Sequence, residues 1–380
     1  MREWLATAPF GLEGVVAEEL RALSMENVRA GTGGARFTGT EADAFKANLW
    51  LRTADRVLLV VGQLEAKTFD ALFEGVKALP WEDLIPGDAR FPVSGNCARS
   101  QLMSVSDCQA ITKKAVVERL KAKRRVQTLP ETAETYAVQV ALHQDVATLT
   151  LDASGAGLSR RGYRTWNGEA PLRETLAAAL VTLSPWRPGQ MLHDPLCGTG
   201  TLLVEAAFVA ANRAPGLERA FACEAWRWMP RGEMHDLRGA ARDAVRLDAV
   251  EGITGADRDE GALELARRHL KQAGLWGRID LRREEVQSAR LPQGRGVVLT
   301  NPPYGERLSD KKGCEQVARA LGRLQGQSGW TVCAITGDRG FERVFGRRAD
   351  KRRRLYNGRL ECEFMTFYAP RAGGERKTDG

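Results

Sequence analysis

The sequence predicts a doubly wound α/β domain in the carboxyl-terminal half of the chain and a smaller α+β region before it. Three observations predict this. Residues 191–207 read as strand, glycine loop and helix start in succession; residues 252–257 read as a second strand ending in an acid with a helix behind it; and the apolar run 297–299 stops at a proline corner. Strand-to-helix units of this kind pack their helices on a parallel sheet. At 380 residues the chain exceeds the size at which one core usually stops growing, and 43% hydrophobic residues suffice to fill more than one.

Taken in order, the first region, residues 1–65, has an amphipathic helix with Leu12, Val15, Val16, Leu20 and Leu23 on one side, followed by the β-rich run 57–61. The second, residues 66–157, contains a strand at Arg90-Phe91-Pro92-Val93 and a basic helix from about Asp107 to Lys123. It closes with alternating Val138, Val140 and Leu142, the turn His143-Gln144-Asp145, and a partner strand over 146–151. Pattern alone says "small α+β domain". The third region, residues 158–370, opens after the flexible crossing Gly155-Ala156-Gly157 with a helix marked by Leu172, Leu176, Ala179, Leu180 and Leu183. Residues 371–380 read as a frayed tail.

Chemistry concentrates at three strand ends. In Thr300-Asn301-Pro302-Pro303-Tyr304-Gly305, two prolines fix φ and remove two donors, and Asn301 is pushed out of the helical region. The Asn301 side-chain oxygen and the following carbonyls can then face one amino group on a flat ring, with Tyr304 offering a surface on which a flipped base can stack. An ordinary strand-to-loop turn is the plainer alternative. In Asp194-Pro195-Leu196-Cys197-Gly198-Thr199-Gly200, two glycines allow close backbone approach at a helix amino terminus. No third glycine follows in register, which excludes the dinucleotide fingerprint, and Asp194 would repel a pyrophosphate. That acid suits a ligand bearing an ammonium and a sulfonium, as S-adenosylmethionine does. Asp257 closes the second strand, placed either to take two ribose hydroxyls or to cap the helix behind it. In that helix Ala262, Leu263, Ala266, Leu270 and Ala273 share a face. Glu285, after 279–283, is a further candidate for the adenine amino group, or a solvated strand-end charge.

The acidic glycine loop, the ribose acid and Asn-Pro-Pro-Tyr, in this order, resemble the class I S-adenosylmethionine-dependent methyltransferases that modify amino nitrogens. Stretches 160–164, 170–174, 194–207, 301–308 and 355–362 resemble still more closely the RlmL-type N2-guanine methyltransferases of 23S ribosomal RNA, which join a THUMP RNA-binding domain to a catalytic domain. The resemblance implies a ferredoxin-like module, a THUMP domain and a Rossmann-like class I methyltransferase domain. It assigns Asp194, Cys197, Gly198 and Gly200 to the cofactor loop, Asp257 to the ribose, and Asn301 with Pro302 and Tyr304 to the base. Arg161, Gly162 and Tyr163 would line the entrance for cofactor and substrate. Cys197 as a nucleophile is disfavoured, because amino methylation needs no covalent intermediate. Some relatives carry a second methyltransferase domain, for which the present length leaves no room.

A formal charge of +8 and a pI near 9.2 fit a polyanionic partner, which the resemblance implies is RNA of the large ribosomal subunit. Lys121, Lys123, Arg124 and Arg125 form one basic cluster; Arg347, Arg348, Lys351, Arg352, Arg353 and Arg354 form another. Seven cysteines without a Cys-x-x-Cys pair indicate neither a disulfide framework nor a zinc site, and with no signal peptide or apolar span they point to a reducing, cytoplasmic setting. No metal is expected. Open alternatives are transfer-RNA guanine N2, adenine N6 in nucleic acid, and an RNA-holding assembly factor with a vestigial catalytic domain.

Overall fold

The computed structural model describes residues 1–164, 172–303, 308–326 and 329–369. The chain divides into two compact units. The first comprises residues 1–8, 13–158 and 219–239. Its elements are β1 (Arg2–Thr7), α1 (Glu13–Ala22), β2 (Glu26–Gly31), β3 (Gly34–Gly39), α2 (Glu41–Trp50), β4 (Arg56–Glu65), α3 (Phe69–Ala78), β5 (Val93–Ala98), α4 (Val105–Arg124), β6 (Val138–His143) and β7 (Val146–Asp152). One seven-stranded sheet, ordered β2-β3-β1-β4-β7-β6-β5, runs through the whole unit. The β4–β7 pairing makes it continuous.

Local chemistry accounts for its elements. α1 buries Val15, Val16 and Leu20 of the expected stripe together with Ala17, while Leu12 is buried just ahead of the helix and Leu23, half-buried, follows its end. The β6–β7 hairpin turns through Gln144 and Asp145, at φ +52° and +63°, the left-handed geometry that matches strand twist. The strand expected over 90–93 begins instead at Val93, while Arg90 makes only an isolated bridge to Thr135. Pro92 is the reason: it has no N–H to offer a ladder, though its carbonyl accepts from the Val138 N–H at 2.9 Å. Residues 219–239 join this unit although they lie far along the chain. There Trp226, fully buried, stacks on Tyr136 with centroids 5.3 Å apart, and its indole donates to the Thr135 carbonyl at 3.1 Å. Burying such a ring contributes about 1.5–3 kcal/mol.

The second unit comprises residues 9–12, 159–218 and those from 240 onward. It contains α5 (Glu174–Leu183), β8 (Met191–Asp194), α6 (Thr201–Ala210), β9 (Ile253–Asp257), α8 (Glu260–Gln272), β10 (Asp280–Arg283), β11 (Gly296–Thr300), α9 (Leu308–Gln325), β12 (Trp330–Thr336), α10 (Phe341–Phe345), β13 (Lys351–Asn357) and β14 (Leu360–Phe367); α7 (Arg231–Asp243) is divided between the units. The sheet order is β10-β9-β8-β11-β12-β14-β13. Strands β10 to β12 pair in parallel, and β14 runs antiparallel between β12 and β13. β12 is buried at all seven positions, as expected for a strand covered on both faces. Phe345 stacks on Phe367 at 3.9 Å beside Val298, Leu321 and Trp330.

This topology places the three candidate strand ends. β8 lies between β9 and β11, so successive connections leave it in opposite directions, and a crevice opens beyond the carboxyl ends of the three strands. Asp194, Asp257 and the residue after Thr300 all emerge there.

Candidate functional site

A cavity of about 560 Å³ occupies this crevice, with Asp194, Cys197, Gly198, Thr199, Asp259 and Asn301 among its walls. Gly198 and Gly200 take φ of +51° and +81°, which side chains resist, and a Cβ on Gly200 would stand 3.2 Å from that of Ala266 on α8. Close packing of loop on helix therefore demands glycine at 200. Asp257 ties the loop to the end of β9: its Oδ2 accepts the Gly198 N–H at 2.8 Å and its Oδ1 the Asp259 N–H at 3.0 Å. The helix cap itself is Asp259, which accepts from the N–H groups of Gly261 and Ala262.

Asp194 is buried and accepts the Leu196 N–H at 3.1 Å. Burial pushes its carboxyl up to about 7, Asp257 adds to the rise, and the Leu196 N–H opposes it. A cation in the cavity would reverse that penalty. Cys197 is nearly buried, and burial together with the Asp194 and Asp257 charges pushes its thiol well above the ordinary range. It is a neutral wall at physiological pH, unsuited to attack.

Asn301 lines the same cavity, and its Oδ1 is buried with no hydrogen-bond partner among the described residues. Such an acceptor is costly to leave unpaired, about 1–3 kcal/mol, and it is open to a donor on a ligand in the cavity. Pro302 is buried directly behind it. Tyr304, like Ala170 and Pro171, lies outside the described residues.

Other candidates stand elsewhere. Glu285 is exposed beyond β10 and is not part of the cavity wall. Arg161, Gly162 and Tyr163 line a separate cavity of about 90 Å³ with Phe208 and Arg213. The Tyr163 hydroxyl donates to Glu205 Oε1 at 3.1 Å, and Arg161 Nε lies 3.5 Å from the same oxygen. A fully buried carboxylate on α6 draws both inward. Sequence reasoning missed Asp259 and Thr199 in the cavity wall, and His269 on α8, whose Nδ1 lies 3.0 Å from the Thr199 carbonyl oxygen. The Asp-x-Asp spacing after the strand could have revealed Asp259, whereas nothing local marks His269.

A ligand with a cationic centre fits Asp194, one with a close-approaching backbone-bound portion fits Gly198, and an amino donor fits Asn301. Residues 161–366 match the RMKL-like methyltransferase domain, residues 3–58 the RlmL ferredoxin-like domain, and residues 66–152 the THUMP domain. The chain is 40% identical, over 99% of its length and 98% of the relative's, to the candidate RNA methyltransferase YpsC of Bacillus subtilis (strain 168). It is 36% identical to the ribosomal RNA large subunit methyltransferase K/L of Syntrophotalea carbinolica, covering 96% of this chain and 53% of that protein. The chain thus spans about half the length of the K/L relatives it matches. Among solved structures, one from Listeria monocytogenes described as a sequence-assigned N6-adenine-specific DNA methylase superposes with a TM-score of 0.92 at 43% identity, covering 97% and 96% of the two chains. Another, the candidate methyltransferase SMU.472 complexed with SAH, gives a TM-score of 0.92 at 38% identity over 98% and 99%.

Proposed function

The chain belongs to the RMKL-like methyltransferase family, and from that premise we propose that it transfers a methyl group from S-adenosylmethionine to the exocyclic N2 of a guanine in 23S ribosomal RNA. The observation that supports this most directly is that Asn301 Oδ1, in the wall of the cavity that Asp194 also lines, has no hydrogen-bond partner among the described residues.

When bound, S-adenosylmethionine supplies an electrophilic methyl on a sulfonium. Asp194 balances its positive charge, Gly198 and Gly200 let the backbone approach it, and Asp257 serves its ribose. The guanine amino nitrogen is a poor nucleophile because its lone pair is delocalised into the ring. Asn301 Oδ1 accepts one amino hydrogen and the Pro302 carbonyl the other, which localises that pair toward the incoming methyl. The nitrogen becomes acidic once alkylated and sheds its proton late, so no strong base is required. Alignment of the two partners supplies most of the acceleration. Tyr304 stacks the extracted base.

Residues 1–65 and 66–157 hold the RNA by backbone and shape, and residues 158–370 carry the transfer. The protein works in the cytoplasm, where its substrate is assembled. The Listeria structure's description favours adenine N6 as the second reading. Mass spectrometry of nucleosides from fractionated RNA of cells with and without this protein separates them. Loss of N2-methylguanosine from large-subunit RNA is the expected result; loss of N6-methyladenosine, loss from transfer RNA, or no change overturns the proposal.

A further inference from the structure

His269 projects from α8 and is fully buried. Its Nδ1 lies 3.0 Å from the carbonyl oxygen of Thr199, between the two left-handed glycines of the loop. A carbonyl can only accept, so Nδ1 carries the proton and Nε2 is left as an acceptor. That Nε2 is buried and has no partner among the described residues. Leucine in its place would pack the same face of α8 without an unpaired polar atom, the cheaper choice for stability alone. The face is otherwise apolar, with Leu263, Ala266 and Leu270 beside it.

Resting on the donor-binding reading of the cavity, we infer that His269 is a positioning residue that fixes the glycine loop in its ligand-binding form. Thr199 lines the cavity, and its peptide can rotate because both neighbours are glycine. Holding the Thr199 carbonyl on α8 keeps an acceptor oxygen committed away from the crevice. Ala266, against which Gly200 packs, gives the loop its steric seat on the same helix, and His269 gives the orientation.

The test measures S-adenosylhomocysteine affinity by calorimetry for the wild type, His269→Leu and His269→Asn, with thermal melting of each. Asparagine retains an N–H near the Nδ1 position; leucine does not. His269→Leu should melt at or above the wild-type temperature yet bind about tenfold more weakly, the effect of one lost hydrogen bond. His269→Asn should recover affinity to within about threefold. Unchanged affinity in His269→Leu, or a stably folded His269→Asn no better than the leucine variant, overturns the inference. Nitrogen-15 spectra of the wild type, with the His269 signal identified by its loss in His269→Asn, provide a check independent of the leucine variant's folding. They should show the Nδ1–H tautomer, and an Nε2–H tautomer refutes the arrangement. If the wild type takes up no S-adenosylhomocysteine while the tautomer is as expected, the donor reading has failed, and the inference falls with it.

Discussion

Asp194 offers the sharpest quantitative test, because one carboxyl couples donor affinity, pH and stability. Its carboxyl sits at about 7 against an ordinary 3.8. A cationic donor favours the ionised form, so binding expels a proton wherever the free protein holds one. With the free group at about 7, the dissociation constant for S-adenosylmethionine should rise roughly tenfold from pH 8 to pH 6, approaching a slope of one per pH unit below that. Calorimetry in buffers of different ionisation enthalpy counts the released proton directly. Neighbouring His193 does not blur the window, since burial holds it down to about 4. The stability effect has the opposite direction. An acid whose folded value is raised favours the protonated state, so stability declines as pH climbs from about 4 to about 7, by roughly 4 kcal/mol at 1.36 kcal/mol per unit, and stays reduced above. Asp194→Asn should therefore melt higher than the wild type at pH 8 while losing most donor affinity and its pH slope. Affinity flat between pH 8 and pH 6, or a less stable Asn variant at pH 8, refutes the reasoning.

Asn301→Ala should cut methyl transfer by about 100-fold or more, the usual cost of removing one preorganised polar contact from a reacting group, while S-adenosylhomocysteine affinity persists; wild-type turnover on undermethylated RNA disproves the assigned role. Asp257→Ala should weaken S-adenosylhomocysteine binding by about 10- to 100-fold, since the loop amide of Gly198 loses its charged acceptor along with the ribose, and a fall in turnover with unaltered binding speaks against it. Cys197→Ala should retain transfer within a few-fold, because the thiol is held neutral; abolished transfer with intact donor binding restores the nucleophile reading.

The chemical core of the second unit was legible in the sequence because its determinants are local. Glycines at 198 and 200 announce a left-handed loop, Pro302 and Pro303 announce a corner, and an acid after a short apolar run announces a strand end. Each follows from the steric demands of a few adjacent residues. The β6–β7 hairpin was equally legible, its alternation and turn lying within fifteen residues. The strand at 90–93 was misplaced because Pro92 withholds its N–H while its apolar neighbours still look like a strand.

Other features depend on partners far away in the chain. The family resemblance assigns Arg161 and Tyr163 to an entrance, yet a carboxylate more than forty residues later, Glu205, draws them against α6. The single sheet through the first unit rests on β4 meeting β7, and the membership of residues 219–239 in that unit rests on Trp226 finding Tyr136. His269 sat unnoticed in an amphipathic pattern until folding set it beneath Thr199.

By itself, then, the sequence determined which strand ends are the candidates for chemistry and what kind of ligand their side chains would suit, since backbone sterics and functional groups belong to individual residues. Only the tertiary structure decided that β9, β8 and β11 stand side by side, bringing Asp194 and Asn301 to one cavity while Asp257 holds the Gly198 amide of its wall from behind. It also set the shifted acidity of Asp194 and left the Asn301 oxygen buried without a partner among the described residues, because burial is a property of surroundings that no residue contains alone.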